Sequence, residues 1–409
     1  MEVRLDLEKH VDRLESWVKD KAIPLWTNCG INPQNGSVYE QLCGDGFPDH
    51  HANMRSRVQS RQIFVFSCAQ IMGWSHDKNM TVDKIQHFLD KHARTAPNSV
   101  GYAHLLDPNG RVLEQKKDTY DFAFFLLASA YQFKAFGKST ELKLADQYLE
   151  HIESKFKGKF GGWQEGDYPS EFRRQNPHMH LFEAFLTWFD ISKDPKWLAK
   201  AGQVFTLFES CFFDHDVGVV REHFEQDWTL ACRPMGNIIE PGHMFEWVWL
   251  LRWYQKLTGT DVSGYCNTLF DKAIKIGLFE DTCLVFDQVE HDGQVIKSSK
   301  RLWPITELIK ASIAQAEANR EQAQEYELLA SKGIQTLFDF YFCMSQSTAI
   351  EGPTANSAIY DGRYIDQLDE ENNIAVNLTP ASTLYHIVMA TIVGIHYVKS
   401  EQNSPPRIS

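Results

Sequence analysis

The chain has 409 residues, of which 43% are hydrophobic, 13% aromatic and 23% charged. This is the composition of a globular protein with a large core, and it excludes disorder or fibrous structure for most of the length. A formal charge of −13, with no basic stretch interleaved with aromatics, argues against nucleic acid or an anionic membrane surface as a partner.

The first twenty residues, MEVRLDLEKHVDRLESWVKD, read as an amphipathic helix without the apolar core of a secretion signal. No apolar run is expected to reach the roughly 18–20 residues that span a bilayer. The eight cysteines are scattered without a C-x-x-C pair and read as reduced thiols, Cys343 among them. Asn35, Asn79 and Asn377 begin glycosylation-type triplets, which carry no weight without export. A cytoplasmic location is therefore expected.

Six short, glycine-containing segments with strand-like alternation follow, starting at Asn35, Asn98, Lys159, Asp216, Asp281 and Tyr360. Hairpin turns are marked by Pro108-Asn109-Gly110, His291-Asp292-Gly293 and Glu370-Glu371-Asn372-Asn373. After each segment comes a strongly apolar helical pattern. These patterns start at Ser60, Thr119, Met179, His243, Trp303 and Ser382. Polar-faced stretches come between, such as TELKLADQYLEHIES from Thr140 and DPKWLAKAGQVFTLFES from Asp194. Helices apolar on every side belong inside, and amphipathic ones cover them. The repeat of about sixty residues, six times over, predicts an all-α fold: an (α/α)6 toroid of six inner and six outer helices, with short β-hairpins on one face. Residues 1–400 are expected to form this single catalytic domain and residues 401–409 a loose tail.

Such a fold gathers the starts of the inner helices. At those positions stand Arg61, Tyr120, Asn176, His178, His180, His243, Glu246, Arg301, Trp303, Glu307, Tyr385 and His386, set among apolar residues. The positive end of a helix dipole favours neutral imidazole, the form a general base needs. Each residue also has a plain reading. A lone histidine on an apolar helix is more often a hydrogen-bonded core residue, Arg61 could pair with a buried acid, and Trp303 could be core. His178-Met179-His180, entered through Pro177, could hold a metal, but no third ligand stands at a recognisable spacing. The loop Asp45–His51 (DGFPDHH) reads as a solvated loop. There is no G-x-S-x-G elbow, phosphate loop or dinucleotide fingerprint.

In their order and spacing, several stretches resemble the N-acylglucosamine 2-epimerase superfamily, from Trp17 to Tyr397. They are SRQIFVFS around Arg61, FGGW at 160–163, NPHMHLFEAF at 176–185, EHF at 222–224, PGHMFEW at 241–247, RLWPITE at 301–307 and LYH at 384–386. Among members the chain looks most like the mannose isomerases that act on free monosaccharides. The resemblance implies a reaction without metal or cofactor. It matches the catalytic histidines to His180, His243 and His386, and sugar-binding residues to Arg61, Tyr120, Asn176, Glu246, Trp303 and Glu307. Ser382 stands where some isomerases carry glutamine, and His178 where some relatives carry asparagine.

The expected reaction is D-mannose to D-fructose, with D-lyxose to D-xylulose as a further pair, through a cis-enediol. His243 would open the ring and handle O1 and O2, and His386 would carry the carbon proton. The chain is expected to be a monomer or homodimer whose partner is a small sugar. A 2-epimerase would use the same residues. A glycoside hydrolase would use Glu246 and Glu307 as its two carboxylates, and a non-catalytic sugar-binding protein would use none of them chemically.

Overall fold

A computed structural model describes residues 2–75, 80–279, 282–342 and 362–402. Asn79, Cys343, the first residues of the segment from Tyr360, and the tail from 403 onward lie outside the described residues.

Thirteen α-helices run through the described residues: α1 (Glu2–Trp17), α2 (Ile23–Cys29), α3 (Ser56–Ile71), α4 (Met80–Phe88), α5 (Thr119–Phe136), α6 (Thr140–His151), α7 (Gln175–Ser192), α8 (Pro195–Leu207), α9 (Pro241–Thr258), α10 (Ser263–Gly277), α11 (Trp303–Ala318), α12 (Ala323–Thr336) and α13 (Ala381–Gln402). Six of them, α3, α5, α7, α9, α11 and α13, are the apolar ones. Their first residues are 56 to 66 positions apart, and 78 before the last. The amphipathic α1, α4, α6, α8 and α12 each run on into a five-residue π turn, for example Leu89–Ala93 and Phe208–Phe212. Nothing in the hydrophobic periodicity signals these turns.

Local chemistry sets the helix ends. Asp118 caps α5 by accepting from the Tyr120 N–H at 2.8 Å, and Asp194 caps α8 ahead of Pro195. Gly137 and Gly259, both left-handed, close α5 and α9.

The chain divides into two compact units. In the larger, Ile23–Ile239 with Leu378–Tyr385, α3 packs on α5 and α5 on α7, while α4, α6 and α8 lie against α3, α5 and α7 respectively. Trp188 donates to the Leu126 carbonyl at 3.0 Å and ties α7 to α5. In the smaller, Met1–Ala22 with Glu240–Asn377 and His386–Ser409, α9 packs on α11, α10 on α9, α12 on α11 and α1 on α12. Arg4 and Tyr397 both donate to Glu327 there, at 3.0 and 2.7 Å.

The strands are two or three residues long. Local pairings form in or beside three of the expected segments: 105–106 with 112–114, 213–214 with 219–220, where the first strand precedes the expected start at Asp216, and 288–289 with 295–297. Gly110 and Gly293 take positive φ at the turns marked in the sequence. The other pairings join segments distant in sequence, each using a strand that leads straight into an inner helix. Met54–Arg55 pairs with 105–106, Arg173–Arg174 with 223–224, Lys300–Arg301 with 367–368, and Leu378–Pro380 with 41–43. The loops therefore fix where α3, α7, α11 and α13 begin, and with them the polar residues in their first turns.

One sequence expectation is corrected. Ala381–Ser400 of α13 is long and apolar enough to span a bilayer by length and composition. Most of it is buried inside the protein, which is the behaviour of a core helix.

Candidate active site

The sequence-predicted residues fall into two clusters, one in each unit. In the larger unit, Arg61 on α3, Tyr120 on α5 and His180 on α7 come together. The Arg61 guanidinium, 7% exposed, donates to the Tyr120 hydroxyl at 2.7 Å and to the Ser382 carbonyl at 3.2 Å. It lies 4.1 Å from the Phe124 ring centre and 5.2 Å from that of Tyr385. No carboxylate reaches Arg61 among the described residues, so pairing with a buried acid, one of its plain readings, does not hold. A buried cation held by a phenol, a carbonyl and aromatic faces keeps donor capacity for an oxygen-rich ligand.

His180, 3% exposed, packs against Tyr120 and Phe124, both at 4.9 Å between ring centres. Its Nδ1 lies 3.7 Å from Oε2 of Glu183, which is fully buried. The same oxygen accepts a short hydrogen bond from the Tyr385 hydroxyl. Asn176 stands one turn before His180 on α7, half-buried and on the same helical face.

His178, two residues from His180, has a different environment. Its Nε2 accepts from the Trp163 N–H at 3.0 Å, and its Nδ1 donates to the Arg174 carbonyl at 3.1 Å. Both nitrogens are used, the ring is fully buried, and desolvation with Arg173 nearby drops its pKa to about 3. It is a neutral structural imidazole holding the 160–163 loop to α7.

In the smaller unit, His243, Trp303, Glu307 and His386 come together. The Trp303 ring centre is 5.0 Å from that of His243 and 5.7 Å from that of His386. Gly242 makes this possible, because a Cβ there would come within 2.6 Å of the indole. His386, 6% exposed, donates from Nδ1 to Glu307 Oε1 at 2.9 Å. Glu307 Oε2 lies 2.6 Å from Lys310 Nζ, both side chains fully buried, and Lys310 sits 3.8 Å over the Trp249 ring. His243 Nδ1 is 3.8 Å from Glu240 Oε2, which is also paired with Arg301 at 3.2 Å. Arg301 is further held by Asp287 at 2.9 Å. Glu246 follows His243 by three residues on α9 and is 1% exposed.

All three predicted histidines thus have Nδ1 within 4 Å of a carboxylate oxygen, and in His386 the contact is a hydrogen bond. Glu183, Glu240 and Lys310 were not singled out from the sequence. A signal existed for two of them: Glu183 and Lys310 are charged residues inside apolar helices, three positions after His180 and Glu307 and therefore on the same faces. Glu240, just before Pro241, had none.

Each unit thus holds buried imidazole close to carboxylate, with the Arg61 guanidinium beside it in the larger unit and the Trp303 indole beside it in the smaller. Comparison with known proteins gives the protein's class. The N-acylglucosamine 2-epimerase (GlcNAc 2-epimerase) family model matches residues 37–390. A protein named mannose-6-phosphate isomerase from Rhizobium meliloti is 30% identical over 391 residues, covering 94% of this chain and 97% of that one. A D-mannose isomerase of Marinomonas mediterranea is 25% identical, covering 82% and 84%. The solved structure of cellobiose 2-epimerase from Spirochaeta thermophila aligns with a TM-score of 0.83 at 19% identity, over 97% of this chain and 98% of that one. The fold is the all-α (α/α)6 barrel, and the protein is an enzyme of the sugar-converting isomerase and epimerase class. The chain belongs to the N-acylglucosamine 2-epimerase family.

Proposed function

We propose that the protein is an aldose–ketose isomerase interconverting D-mannose and D-fructose, with D-lyxose and D-xylulose as a second pair. The observation that carries this reading is the grouping of His243 and His386 around Trp303, each with a carboxylate behind its Nδ1. Isomerisation requires the C2 proton to leave, a proton to arrive at C1, and the O1 and O2 protons to be exchanged. In this reading Nε2 of His386 takes the C2 proton, exchanges it with solvent and delivers a proton to C1 of the cis-enediol, while Glu307 stabilises the transient imidazolium. His243 opens the ring and moves the O1 and O2 protons. Trp303 stacks on the sugar's C–H face. Arg61, Tyr120, Asn176, His180 and Glu246 bind the hydroxyls and the developing enediolate oxygen. Each acid–base group would contribute on the order of 10²–10⁴-fold. The reading needs no metal or cofactor, and it describes a cytoplasmic monomer or homodimer without nucleic-acid or membrane partners.

Unphosphorylated sugar is favoured over the substrate in the name of the Rhizobium meliloti relative. Of the arginines at the inner-helix entrances, Arg55, Arg57, Arg174 and Arg301 are each committed to a carboxylate, and among the described residues Arg61 is not. A phosphate would want uncommitted guanidinium groups. Incubation with D-mannose in deuterated water tests the proposal. Fructose carrying deuterium at C1 is expected. Glucose as the first product would replace it with a 2-epimerase, and turnover of mannose 6-phosphate alone would overturn the choice of substrate.

A further inference from the structure

We propose that His104, in the loop segment ahead of α5, is a further substrate-binding residue of the sugar site. Its Nε2 accepts a hydrogen bond from a sugar hydroxyl beside Tyr120 and Arg61. The inference rests on that cluster belonging to the sugar site, but not on which sugar is converted.

The pairing of Met54–Arg55 with 105–106 carries His104 to the start of α3, where the Ser56 N–H donates to its carbonyl at 3.2 Å. The side chain reaches α5. Its Nδ1 lies 2.7 Å from Oδ2 of Asp121, the residue after Tyr120, and Asp121 is 1% exposed. The other oxygen, Oδ1, accepts from Arg57 at 3.0 Å. Arg57 precedes Arg61 by one turn of α3. Its guanidinium carbon is 5.5 Å from the Tyr120 ring centre, and that of Arg61 is 5.7 Å from it. His104, Asp121, Arg57, Tyr120 and Arg61 thus form one contiguous patch where α3 and α5 begin.

Without His104 the chemistry of that patch is one-sided. Guanidinium groups only donate, and the Tyr120 oxygen already accepts from Arg61. A sugar hydroxyl both accepts and donates, so these donors satisfy its oxygen and leave its proton unmatched. His104 supplies the acceptor. A carboxylate paired with a guanidinium can only accept, so Nδ1 is the donor in the 2.7 Å contact and Nε2 carries the lone pair. Among the described residues the contact with Asp121 is the only hydrogen bond or ion pair of the His104 ring, and the side chain is 15% exposed. A ligand can therefore reach Nε2 without displacing a protein group. Asp121, buried and held from its other side by Arg57, keeps the ring from turning.

The test compares the wild-type protein with His104→Asn and His104→Ala. The asparagine amide nitrogen can stand where Nδ1 stood and keep the bond to Asp121, while Nε2 is lost. Asparagine therefore replaces a merely structural histidine at little cost, but not one that binds sugar. The readouts are steady-state kinetics with D-mannose, thermal unfolding, and nitrogen-15 NMR of histidine-labelled protein, in which the His104 signals are those that His104→Asn removes. The expected result is a KM raised about tenfold in both variants with kcat changed by less than roughly threefold, and an unfolding midpoint for His104→Asn close to that of the wild type. In the wild type His104 should be the Nδ1–H tautomer, with an Nε2 resonance that moves upfield as D-mannose saturates the site. A wild-type KM in His104→Asn, or an Nε2 resonance unmoved by a sugar that the enzyme converts, would overturn the proposal. Should His104→Asn fail to fold, His104→Ala assigns the signals and the wild-type titration decides. Glucose as the first product would end the isomerase reading, yet the Nε2 shift on adding the converted sugar would still stand, so the two failures are distinguishable.

Discussion

At two of its inner-helix histidines the molecule places an imidazole beside a buried carboxylate, with opposite electrostatics. In the smaller unit the Glu307 carboxylate lies between His386 and the buried ammonium of Lys310. In the larger unit the Glu183 carboxylate lies between His180 and the phenol of Tyr385. The first carboxylate is an anion with its own permanent counterion, so a proton arriving on His386 adds a net positive charge. Among the described residues the second has no basic group within 4 Å but the imidazole itself, so a proton arriving on His180 offsets its charge. A base that must give its proton back to carbon is served by the first arrangement. A group that receives hydroxyl protons and steadies an oxyanion is served by the second.

The largest effect expected from this difference is kinetic. His386→Ala should lower kcat by about 10³–10⁴-fold, and His180→Ala by nearer 10²-fold. Stopped-time assays of fructose formation from mannose measure both. Equal losses would erase the distinction between the clusters, and full activity in His386→Ala would remove it from the carbon proton's path.

Stability sharpens the comparison next. Lys310→Met strands a fully buried Glu307 beside a neutral side chain, and breaking such a pair costs about 3–5 kcal/mol. Tyr385→Phe removes one hydrogen bond to a carboxylate and should cost about 1.5–3 kcal/mol. Urea unfolding at neutral pH would rank them. A Tyr385→Phe protein less stable than Lys310→Met would mean that the phenol, not the ammonium, anchors the more strained carboxylate.

Gly242→Ala probes the smaller unit alone. The added methyl meets the Trp303 indole and the Pro304 ring within 3 Å, and neither can yield without moving the start of α11. The expected cost is about 1–3 kcal/mol of stability, together with a raised KM as the stacking surface shifts. A variant with wild-type kinetics would show that Trp303 does not touch the sugar.

Much of this was legible in the sequence. The six apolar helices stand out because a helix hydrophobic on every face has no other use in a globular protein, and their spacing gives the repeat. His180, His243, Arg61 and Glu307 stand out because charge in an apolar helix demands a reason. What stayed hidden depends on contacts between distant segments. The strand pairings of 41–43 with 378–380 and of 173–174 with 223–224 follow no local rule. Glu240 becomes part of the site only through Arg301 and His243. His178 and His180 look alike in sequence. Only the Trp163 N–H and the Arg174 carbonyl show that one of them is committed to holding a loop.

That commitment sets the smallest prediction. His178 is neutral in the folded protein down to about pH 3, whereas in the unfolded chain it takes a proton near its ordinary value of 6.5. Between those limits the unfolded state binds the extra proton, so stability falls as pH falls. The contribution is whole above about 6.5 and is lost through the window down to about 3, at a limiting slope of about 1.4 kcal/mol per pH unit. His178→Asn removes the titrating ring and should flatten that part of the acid limb. The stability gap between wild type and variant should then narrow from pH 7 to pH 5 in urea titrations. A gap that stays constant would mean that His178 is already charged in the folded protein, with Nε2 no longer accepting from Trp163, and the division between a structural and a chemical histidine on α7 would have to be redrawn.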